Sequence, residues 1–481
     1  MHRGPIFLLA ALLAAPAAAQ PLAESTFQAD AEGWTVASNG AAGVSFQPGL
    51  IETTDADPAD LAFVAPAAFL GDLSRAYRGT LSFELRPGVR PFQPSQPAVE
   101  ISGGSGPLIL RFDLPAPATL DDFAPFEVAI HEDDGWEVVG QSRAPTAGEL
   151  RDVLTNVVDL RIIADTATAA DEAVALTNVR LDRGRVRVYL ASGQSNMSGC
   201  DDSRNATIPF DFSPRPDILF WNQFNDTFGP LQTGSSDSSC ADPAPSFYFG
   251  PEMAFADRIQ RYFPRDEIII IKYTEGGTSL PFQWVPPGIV SNRPTGGISW
   301  VRWRDELDLA FAALDAAGYQ YTVEGMIWFQ GERDCCGPNS AANYEIALVG
   351  LIDWIRGRVN QPVMPFVLGR TLTPTDGEFI DIIRTAQITV AEADANACWI
   401  NADDQALVDS LHFDADGMLT VGDRMANAMR SLHPLPGDAN GDGNVDIEDL
   451  YAWKRSPSDL NCDQIVDEAD LDRLEAAIRS Q

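Results

Sequence analysis

The sequence predicts three consecutive domains: an all-β sandwich, an α/β domain with a parallel sheet, and a small α-helical domain with calcium-binding loops. Three observations lead to this prediction. Apolar and polar residues alternate with period two across residues 25–184, strands alternate with helical patterns across 185–432, and two acidic repeats fill 438–481. A chain of 481 residues is also too long for a single hydrophobic core.

The amino-terminal residues 1–19 have the pattern of a secretory signal peptide, in which Arg3 precedes an apolar run and the small residues Ala17–Ala19. No later segment is long and apolar enough to predict membrane insertion. We therefore expect a secreted protein that is extracellular or associated with the cell surface. The formal net charge of −36 argues against nucleic acid and anionic membranes as partners.

Six cysteines in an exported protein are expected to form disulfide bonds. Cys200 and Cys240 flank a loop-rich segment and are the preferred pair. The adjacent residues Cys335 and Cys336 leave two alternatives open. Either one of them pairs with Cys398, or the two neighbours pair with each other.

Residues 25–184 are predicted to form an antiparallel β-sandwich, because short strands such as Gly79–Arg86 alternate between apolar and polar residues. The stretches Phe27–Trp34, Phe69–Gly79 and Asn178–Asp182 resemble the laminin B (domain IV) module. This resemblance implies a jelly-roll-like adhesive or carbohydrate-associated module without an active site.

Residues 185–432 are predicted to form an α/β domain, because strands and amphipathic helices alternate. The predicted strands are Val186–Ala191, Glu267–Tyr273, Val323–Gln330, Met364–Gly369 and Cys398–Asn401. The predicted helices are Pro251–Tyr262, Val301–Ala317, Ala341–Arg358, Glu378–Ala393 and Asp416–Arg430. Two irregular inserts, residues 201–246 and 281–299, are long enough to build binding surfaces or lids. We expect Trp284 in the second insert to help form a rigid wall for a sugar substrate.

Ser195 is the candidate nucleophile of this domain. It follows a buried strand and Gly193, so it is predicted at the carboxyl edge of the sheet, where open α/β folds bind ligands. Of four histidines in the chain, only His412 falls within the domain. Asp409 lies three residues before it and can reach its Nδ1 atom. Ester hydrolysis at a serine needs such a base and such an orienting acid.

Two further strand ends carry candidate donors for the oxyanion. The second strand ends in Thr274–Thr278, where glycines allow the backbone to approach a ligand closely. The third strand ends at Gln330, whose side-chain amide can donate to developing negative charge without titrating. Both ends are predicted at the same edge of the sheet as Ser195.

Five motifs together resemble the sialate O-acetylesterase and carbohydrate esterase family 6 branch of the SGNH hydrolase superfamily. They are Gly193–Met197, Gly250–Glu252, Glu275–Thr278, Gln330–Glu332 and the pair Asp409-x-x-His412. The resemblance implies a three-layer α/β/α, flavodoxin-like fold. It also implies hydrolysis of O-acetylated sugars or polysaccharides with no cofactor for catalysis.

The resemblance assigns a role to each candidate site residue. Ser195 is the nucleophile, His412 is the general base, and Asp409 orients the base. Gly277 and Gln330 form the oxyanion hole together with the N–H group of Ser195. For Glu332, which lies in the same motif as Gln330, three roles stay open: support of His412, substrate binding, or a buried structural role.

The last 44 residues contain two loops that are predicted to bind calcium. Oxygen-bearing residues stand at loop positions 1, 3, 5, 7, 9 and 12, the spacing of an EF-hand loop, and Gly443 occupies position 6 of the first loop. The predicted ligands are Asp438, Asn440, Asp442, Asn444, Asp446 and Asp449 in the first loop, and Asp459, Asn461, Asp463, Ile465, Asp467 and Asp470 in the second. After a linker at 433–437, this duplicated loop–helix unit resembles a type I dockerin, which implies a cohesin-type protein partner.

These predictions combine into a secreted carbohydrate O-acetylesterase with an accessory sandwich and a dockerin-like tail. Its expected partner besides the cohesin-type protein is an acetylated glycan substrate. Two alternatives stay open. One is a non-catalytic glycan-binding or matrix protein with an esterase-like fold, and the other is an esterase that acts on non-sugar esters.

Overall fold

The computed structural model describes residues 21–37, 43–55, 61–86, 97–106, 108–115, 122–164, 172–235, 240, 246–291, 293–372, 377–432, 445–455, 457, 460 and 466–479. The predicted signal peptide lies outside the described residues. By its internal contacts the chain divides into two compact units, Met1–Arg183 and Gly184–Gln481. Among the helices that are described, none has both the length and the apolar character needed to cross a bilayer.

The described part of the first unit consists of short strands and a single α-helix. These elements are β1 (Ala23–Ser25), β2 (Thr35–Ala37), β3 (Ser45–Gln47), β4 (Leu50–Asp55), β5 (Ala62–Val64), β6 (Thr80–Arg86), β7 (Ala98–Gly103), β8 (Leu108–Asp113), β9 (Ala124–Ala129), β10 (Trp136–Val138), α1 (Ala147–Thr155), β11 (Val157–Ile163) and β12 (Glu172–Leu181).

The strands of the first unit form two sheets that share one hydrophobic core. One sheet has the order β3-β4-β12-β6-β9 with β1 added to β12, and the other has the order β10-β8-β7-β11-β5-β2. Neighbouring strands within each sheet run antiparallel. Side chains of both sheets, such as Phe83 and Leu110, meet in the core, which also buries Trp34 and Trp136. The predicted antiparallel sandwich is confirmed.

The second unit contains a central sheet flanked by helices. Its elements are β13 (Val186–Gly193), α2 (Ser195–Ser198), β14 (Asp201–Asp202), β15 (Arg215–Asn222), β16 (Thr227–Leu231), β17 (Tyr248–Phe249), α3 (Glu252–Tyr262), β18 (Glu267–Thr274), α4 (Ile298–Ala316), β19 (Tyr321–Phe329), α5 (Pro338–Arg358), β20 (Phe366–Gly369), α6 (Ile380–Ala393), β21 (Ala397–Ile400), α7 (Ala415–Ser431), α8 (Ile447–Arg455) and α9 (Glu468–Arg479).

The central sheet has the order β16-β15-β18-β13-β19-β20-β21 and is parallel except for β16. Every residue of β13 is buried, because helices cover both faces of the sheet. Along β13, Val188 and Leu190 pack against α4, α5 and α6, whereas Tyr189 and Ala191 pack against α3 and α7. The alternation of strand side chains thus produces three layers, and the predicted parallel α/β architecture is confirmed.

The first predicted insert, residues 201–246, is not wholly irregular. It supplies β15, which pairs in parallel with β18, and β16, which closes the edge of the central sheet. The prediction missed these strands because Arg215 and Asp217 interrupt the apolar pattern of β15. Both side chains are partly buried and form an ion pair with each other at 2.7 Å. Their place in the sheet depends on pairing with a distant strand.

The prediction that Trp284 forms a wall for a sugar is wrong. Leu280–Trp284 forms one turn of π-helix, and the Trp284 side chain is fully buried. Its Nε1 group donates a hydrogen bond to the hydroxyl of Thr278 at 2.7 Å, and its ring packs edge-on against that of Trp328. Burial of a large aromatic surface with a satisfied N–H group makes this residue part of the core beneath the sheet edge.

The cysteines follow one of the predicted pairings. Cys200 and Cys240 form a disulfide bond, as expected. Among the described residues, Cys335, Cys336 and Cys398 take part in no disulfide bond, so both alternatives for Cys335 and Cys336 are wrong. The Cys335 side chain turns into the core whereas Cys336 is exposed, and Cys398 is buried within β21.

The carboxyl-terminal helices α8 and α9 pack on one another through a small core. Trp453, Leu460 and Leu474 are buried there, and Leu450 and Leu471 pack against them. The apolar positions that follow each acidic loop in the sequence therefore form the contact between the two helices, as amphipathic helices require.

Candidate active site

Ser195 lies immediately beyond the carboxyl end of the central strand β13, at the first residue of α2. Gly193 ends the strand with φ 150°, and a Cβ atom there would lie 2.0 Å from the carbonyl oxygen of Phe329 on β19. Only glycine fits this position. The N–H group of Gln194 donates to the same carbonyl at 3.0 Å. These contacts fix the turn that carries Ser195 against the edge of the sheet.

His412 lies in a tight turn between β21 and α7. The N–H group of Val408 donates to the carbonyl oxygen of His412 at 2.9 Å and closes the turn. Within it, Oδ1 of Asp409 accepts hydrogen bonds from the N–H groups of Leu411 at 2.7 Å and His412 at 2.8 Å. The spacing Asp409-x-x-His412 therefore shapes the backbone of the turn as well as placing two side chains together.

The structure brings Ser195, His412 and Asp409 into one hydrogen-bonded chain. Nε2 of His412 lies 3.0 Å from Oγ of Ser195, and Nδ1 of His412 lies 2.8 Å from Oδ2 of Asp409. Partial burial would raise the pKa of Asp409, but the hydrogen bonds from the His412 ring and from backbone N–H groups outweigh burial and lower that pKa. The ionised carboxylate holds a proton on Nδ1, so the Nε2 lone pair faces the serine hydroxyl.

The structure does not bring the side chain of Gln330 into the cleft, which corrects the prediction that it donates to the oxyanion. The residue is completely buried. Its Nε2 group donates to the carbonyl of Thr278 and to the carboxylate of Asp334, each at 2.8 Å, and to Oε1 of Gln194 at 3.1 Å. The amide turns inward because the buried Asp334 carboxylate, four residues later in the chain, accepts from it.

Gln194, which the sequence reasoning missed, lines the cleft beside Ser195. Its Oε1 atom accepts from the Nε2 group of Gln330 and lies 3.4 Å and 3.5 Å from the N–H groups of Gly331 and Arg333. Three donors at one end of the amide identify that end as the carbonyl oxygen. The Nε2 group of Gln194 therefore faces the cleft, and it donates to no acceptor among the described residues. Its position directly before the nucleophile is the sequence signal that could have found it.

Gly277 also lines the cleft. Its φ is 68°, and a Cβ atom there would meet no atom within 4 Å, so open space lies in front of this residue. The backbone N–H group of Gly277 has no hydrogen-bond acceptor in the described part of the chain. A free N–H group beside an open space suits the binding of a developing oxyanion.

The cleft around Ser195 is an open surface depression at the carboxyl edge of the sheet. Its lining consists of Gln194, Ser195, Cys240, Gly276, Gly277, Glu332, Arg333, Cys336, Asp409, Leu411 and His412. The sulfur atoms of Cys200 and Cys240 and one ring nitrogen of His412 lie within 4.8 Å of one another. Because both sulfurs are bonded in the disulfide, they are not thiolate ligands for a metal here.

Glu332 lies at the base of the cleft and is almost fully buried. Its Oε1 atom accepts a hydrogen bond from Nδ2 of Asn196 at 2.7 Å. Its Oε2 atom is buried and has no partner among the described residues. Burial raises the pKa of this carboxyl group above its usual value. Of the three roles open for Glu332, this geometry favours a buried role near the catalytic residues.

Two predicted calcium ligands of each loop fall within the described residues. Asp449 and Asp470, at loop position 12, are fully buried. Each accepts the N–H group of the residue at position 9, Asp446 at 2.7 Å and Asp467 at 2.9 Å. Positions 9 and 12 thus lie together in both loops, and an all-oxygen donor set fits calcium. The other predicted ligands, Asp438, Asn440, Asp442, Asn444, Asp459, Asn461, Asp463 and Ile465, lie outside the described residues.

Comparison with known proteins gives two family matches. Residues 185–431 match the model of a family described as carbohydrate esterase, sialic acid-specific acetylesterase. Residues 62–195 match the laminin B (domain IV) family, which agrees with the predicted resemblance. Among curated proteins, the chain is similar to a probable carbohydrate esterase of Arabidopsis thaliana, with 23% identity over 261 residues that cover 51% of this chain and 90% of that protein.

The chain is also similar to solved structures, including these three. A protein from Arabidopsis thaliana has a TM-score of 0.42 and 21% identity, covering 51% of this chain and 98% of its own. A carbohydrate acetylesterase from Xanthomonas citri has a TM-score of 0.36 and 16% identity, covering 81% and 75%. The L4b domain of human laminin alpha-2 has a TM-score of 0.31 and 17% identity, covering 35% and 100%.

Proposed function

The chain belongs to the carbohydrate esterase family of sialic acid-specific acetylesterases, and we propose that it removes acetyl groups from O-acetylated sugars or polysaccharides through an acyl-enzyme on Ser195. The observation that carries this proposal is the hydrogen-bonded chain from Ser195 through His412 to Asp409 at an open cleft. A protein that only bound glycan would not need that chain. The direct test is acetate release from a panel of acetylated polysaccharides and O-acetylated sialic acids.

The proposed reaction is an acyl transfer in two steps. Oγ of Ser195 attacks the acetyl carbonyl carbon while Nε2 of His412 accepts the hydroxyl proton. The tetrahedral intermediate then collapses, the ester bond breaks, and the proton on His412 passes to the departing sugar oxygen. In the second step, water gives a proton to His412 and its oxygen attacks the acetyl-serine carbonyl. The second intermediate collapses, the bond from the acetyl group to Oγ breaks, acetate leaves, and His412 returns the proton to Oγ of Ser195. Asp409 keeps its charge throughout and stabilises the imidazolium.

We assign the oxyanion hole to the Nε2 group of Gln194 and the backbone N–H groups of Gly277 and Ser195. All three residues line the cleft. Gln330 and Asp334 act behind them, because the Asp334 carboxylate orients the Gln330 amide and that amide holds Oε1 of Gln194. The buried network therefore preorganises the donor that faces the substrate, so little reorganisation is needed when the charge develops.

Replacing Gln194 with alanine is expected to lower kcat by about 10²–10³-fold, the usual effect of removing one oxyanion donor. The KM value should change little, because the ground-state carbonyl is held less strongly than the oxyanion. Steady-state kinetics on an acetyl ester measures both constants. Gln232→Ala is the matched control, since Gln232 is exposed and does not line the cleft. An unchanged kcat for Gln194→Ala would remove Gln194 from the oxyanion hole.

We also propose that the substrate carries a carboxylate close to its acetyl ester, as sialic acids and uronic acids do. Arg333 is exposed in the cleft lining. Among the described residues, no acidic side chain forms an ion pair with it. A chain of net charge −36 repels anionic substrates in general, so an unpaired guanidinium at the cleft is well suited to hold one.

Replacing Arg333 with methionine is expected to lower kcat/KM about 10–100-fold on acetylated acidic sugars, because a hydrogen bond to a charged group contributes about 1.5–3 kcal/mol. On neutral acetylated sugars the value should stay within about twofold. Arg304→Met is the control, since Arg304 pairs with Asp305 and is not part of the lining. Equal losses on acidic and neutral substrates would refute the carboxylate contact.

We propose that the protein is secreted, and the signal-peptide pattern of residues 1–19 supports this. We also propose that the loops that precede α8 and α9 bind calcium. Asp446, Asp449, Asp467 and Asp470 would each supply carboxylate oxygen to the ion, which would neutralise their clustered charge. The dockerin-like sequence supports a cohesin-type protein as the partner of these helices. In this proposal the ion has no part in ester hydrolysis.

Removing calcium from the full chain with a chelator is expected to melt α8 and α9 while acetate release from a soluble ester continues. The reason is that clustered carboxylates repel one another once the cation is gone. Hydrogen exchange measured by mass spectrometry should show loss of protection in 445–479 alone, and added calcium, but not an equal concentration of potassium, should restore it. Unchanged protection in this segment would contradict calcium binding.

A further inference from the structure

Asn196, the residue directly after the nucleophile, is buried and bonds to the turn that carries the base. Its Oδ1 atom accepts a hydrogen bond from the N–H group of Phe413 at 3.1 Å. Its Nδ2 group donates to the carbonyl oxygen of Leu411 at 3.2 Å and to Oε1 of Glu332 at 2.7 Å. One amide therefore contacts the residue on each side of His412.

The other hydrogen bonds of residues 411–413 do not connect the turn to the nucleophile. The bonds that Asp409 and Val408 make with these residues lie within the turn and give it its shape. In the described part of the chain, two kinds of hydrogen bond join residues 411–413 to the turn that carries Ser195. One is the Ser195–His412 bond itself, and the others are the bonds of Asn196. The hydrogen bonds that shape the turn and the hydrogen bonds that tie it to the nucleophile turn thus come from different residues.

Glu332 completes this arrangement from the end of β19. Both Nδ2 hydrogens of Asn196 have an acceptor, one being Glu332 and the other Leu411, and Oδ1 has its donor. Every polar group of the amide is satisfied, which leaves it a single orientation. Burying a carboxyl group with one unpartnered oxygen costs free energy. Among the described residues, the hydrogen bond that the Glu332 side chain makes is the one it accepts from Asn196.

We propose that Asn196 and Glu332 are positioning residues that hold the His412 turn at the distance from Ser195 that proton transfer needs. This inference rests on the proposed esterase function. Asn196 does not line the cleft, so it acts through the His412 turn and not through the substrate. Glu332 acts through Asn196. A misplacement of about 1 Å in a catalytic group can cost about 10²-fold in rate, so a small shift of the turn is enough to be measured.

The test compares four variants by steady-state kinetics on a neutral acetyl ester and by thermal melting. Asn196→Ala is expected to lower kcat about 10–100-fold with KM within about twofold of wild type. Glu332→Ala is expected to lower kcat in the same way but less. Glu332→Gln should restore kcat to within a few-fold, because the amide oxygen of glutamine still accepts from Asn196. Asn196→Asp keeps the acceptor for Phe413 but loses both donated bonds, so its kcat should also fall.

The double variant Asn196→Ala with Glu332→Ala decides whether the two residues act together. We expect its kcat to equal that of Asn196→Ala alone, because Glu332 has nothing left to orient. Asn427→Ala is the matched control. Asn427 bridges α3 and α7 by accepting from the hydroxyl of Tyr262 and donating to Asp423 at 3.2 Å, so its loss should lower the melting temperature without changing kcat.

The possible outcomes separate this inference from the proposed function. Unchanged kcat in both alanine variants, losses that multiply in the double variant, or an effect on KM alone would overturn the positioning role. A loss of kcat in Glu332→Gln equal to that in Glu332→Ala would do the same for Glu332. If Asn196→Ala does not fold, Asn196→Asp carries the same expectation. Absence of esterase activity in the wild type would refute the proposed function instead.

Discussion

Replacing Ser195 with alanine is expected to lower kcat for acetyl ester hydrolysis by about 10⁵–10⁶-fold, the effect of removing the nucleophile from a serine triad. The substitution removes one oxygen atom and leaves the buried turn in place, so the melting temperature should stay within a few degrees of wild type. Acetate release by the purified full chain, corrected for uncatalysed hydrolysis, measures the effect.

Ser192→Ala is the matched control for this prediction. Its hydroxyl also lies at the end of β13, but it donates to the carbonyl oxygen of Tyr273 at 2.7 Å and does not line the cleft. This variant should keep kcat within a few-fold of wild type. If Ser195→Ala retained a tenth or more of the wild-type rate, a different nucleophile, or a directly attacking water molecule, would have to carry the reaction.

Replacing His412 with alanine is expected to lower kcat by a similar factor, about 10⁵–10⁶-fold, since the serine hydroxyl then has no base. The double variant with Ser195→Ala should be no less active than either single variant, because the two residues act as a unit. Asp409→Asn should have a smaller effect than His412→Ala, because the Asp409 side chain is 53% exposed and water partly replaces its charge.

The control for the histidine is His131→Ala in the first unit, which leaves the cleft unaltered and should leave kcat unchanged. A variant of His412 that retained wild-type activity would exclude His412 as the base.

The ionisation of Asp409 makes the stability of the folded chain depend on pH, with a defined sign. The pKa of Asp409 is lowered in the folded protein, so its contribution to stability is present above the unfolded pKa and is lost as the pH falls through the folded pKa.

The sequence predicts the α/β layers well because their signals are local. The apolar runs of β13, β18 and β19 and the helical periodicity between them depend on residues close together in the chain. Strand β15 was missed because its apolar pattern is broken and its identity as a strand comes from pairing with β18, which begins 45 residues after Asn222. Trp284 was misplaced because it lies in an insert that looks irregular in sequence, and its burial comes from contacts with distant residues such as Trp328.

The residues of the candidate active site also differ in how well the sequence predicts them. Ser195 and the pair Asp409-x-x-His412 could be predicted because the domain has a single histidine and because three-residue spacing brings two side chains together. The direction of the Gln330 side chain could not be predicted, since it depends on the buried Asp334 carboxylate and on Gln194. Side-chain direction at a strand end is decided by hydrogen-bond partners from other segments, and these become visible only in the folded chain.

Trapping of the acyl-enzyme tests the central claim most directly. The full chain is mixed with an acetylated sugar, the reaction is quenched with acid within one turnover, and peptides are mapped by mass spectrometry. We expect one acetyl group on the peptide that contains Ser195, with fragment ions that place it on the Ser195 hydroxyl, and none in the His412→Ala variant. Full turnover without an acetyl group on Ser195 at any quench time, or an acetyl group on another residue that forms and decays at the rate of turnover, would contradict the account.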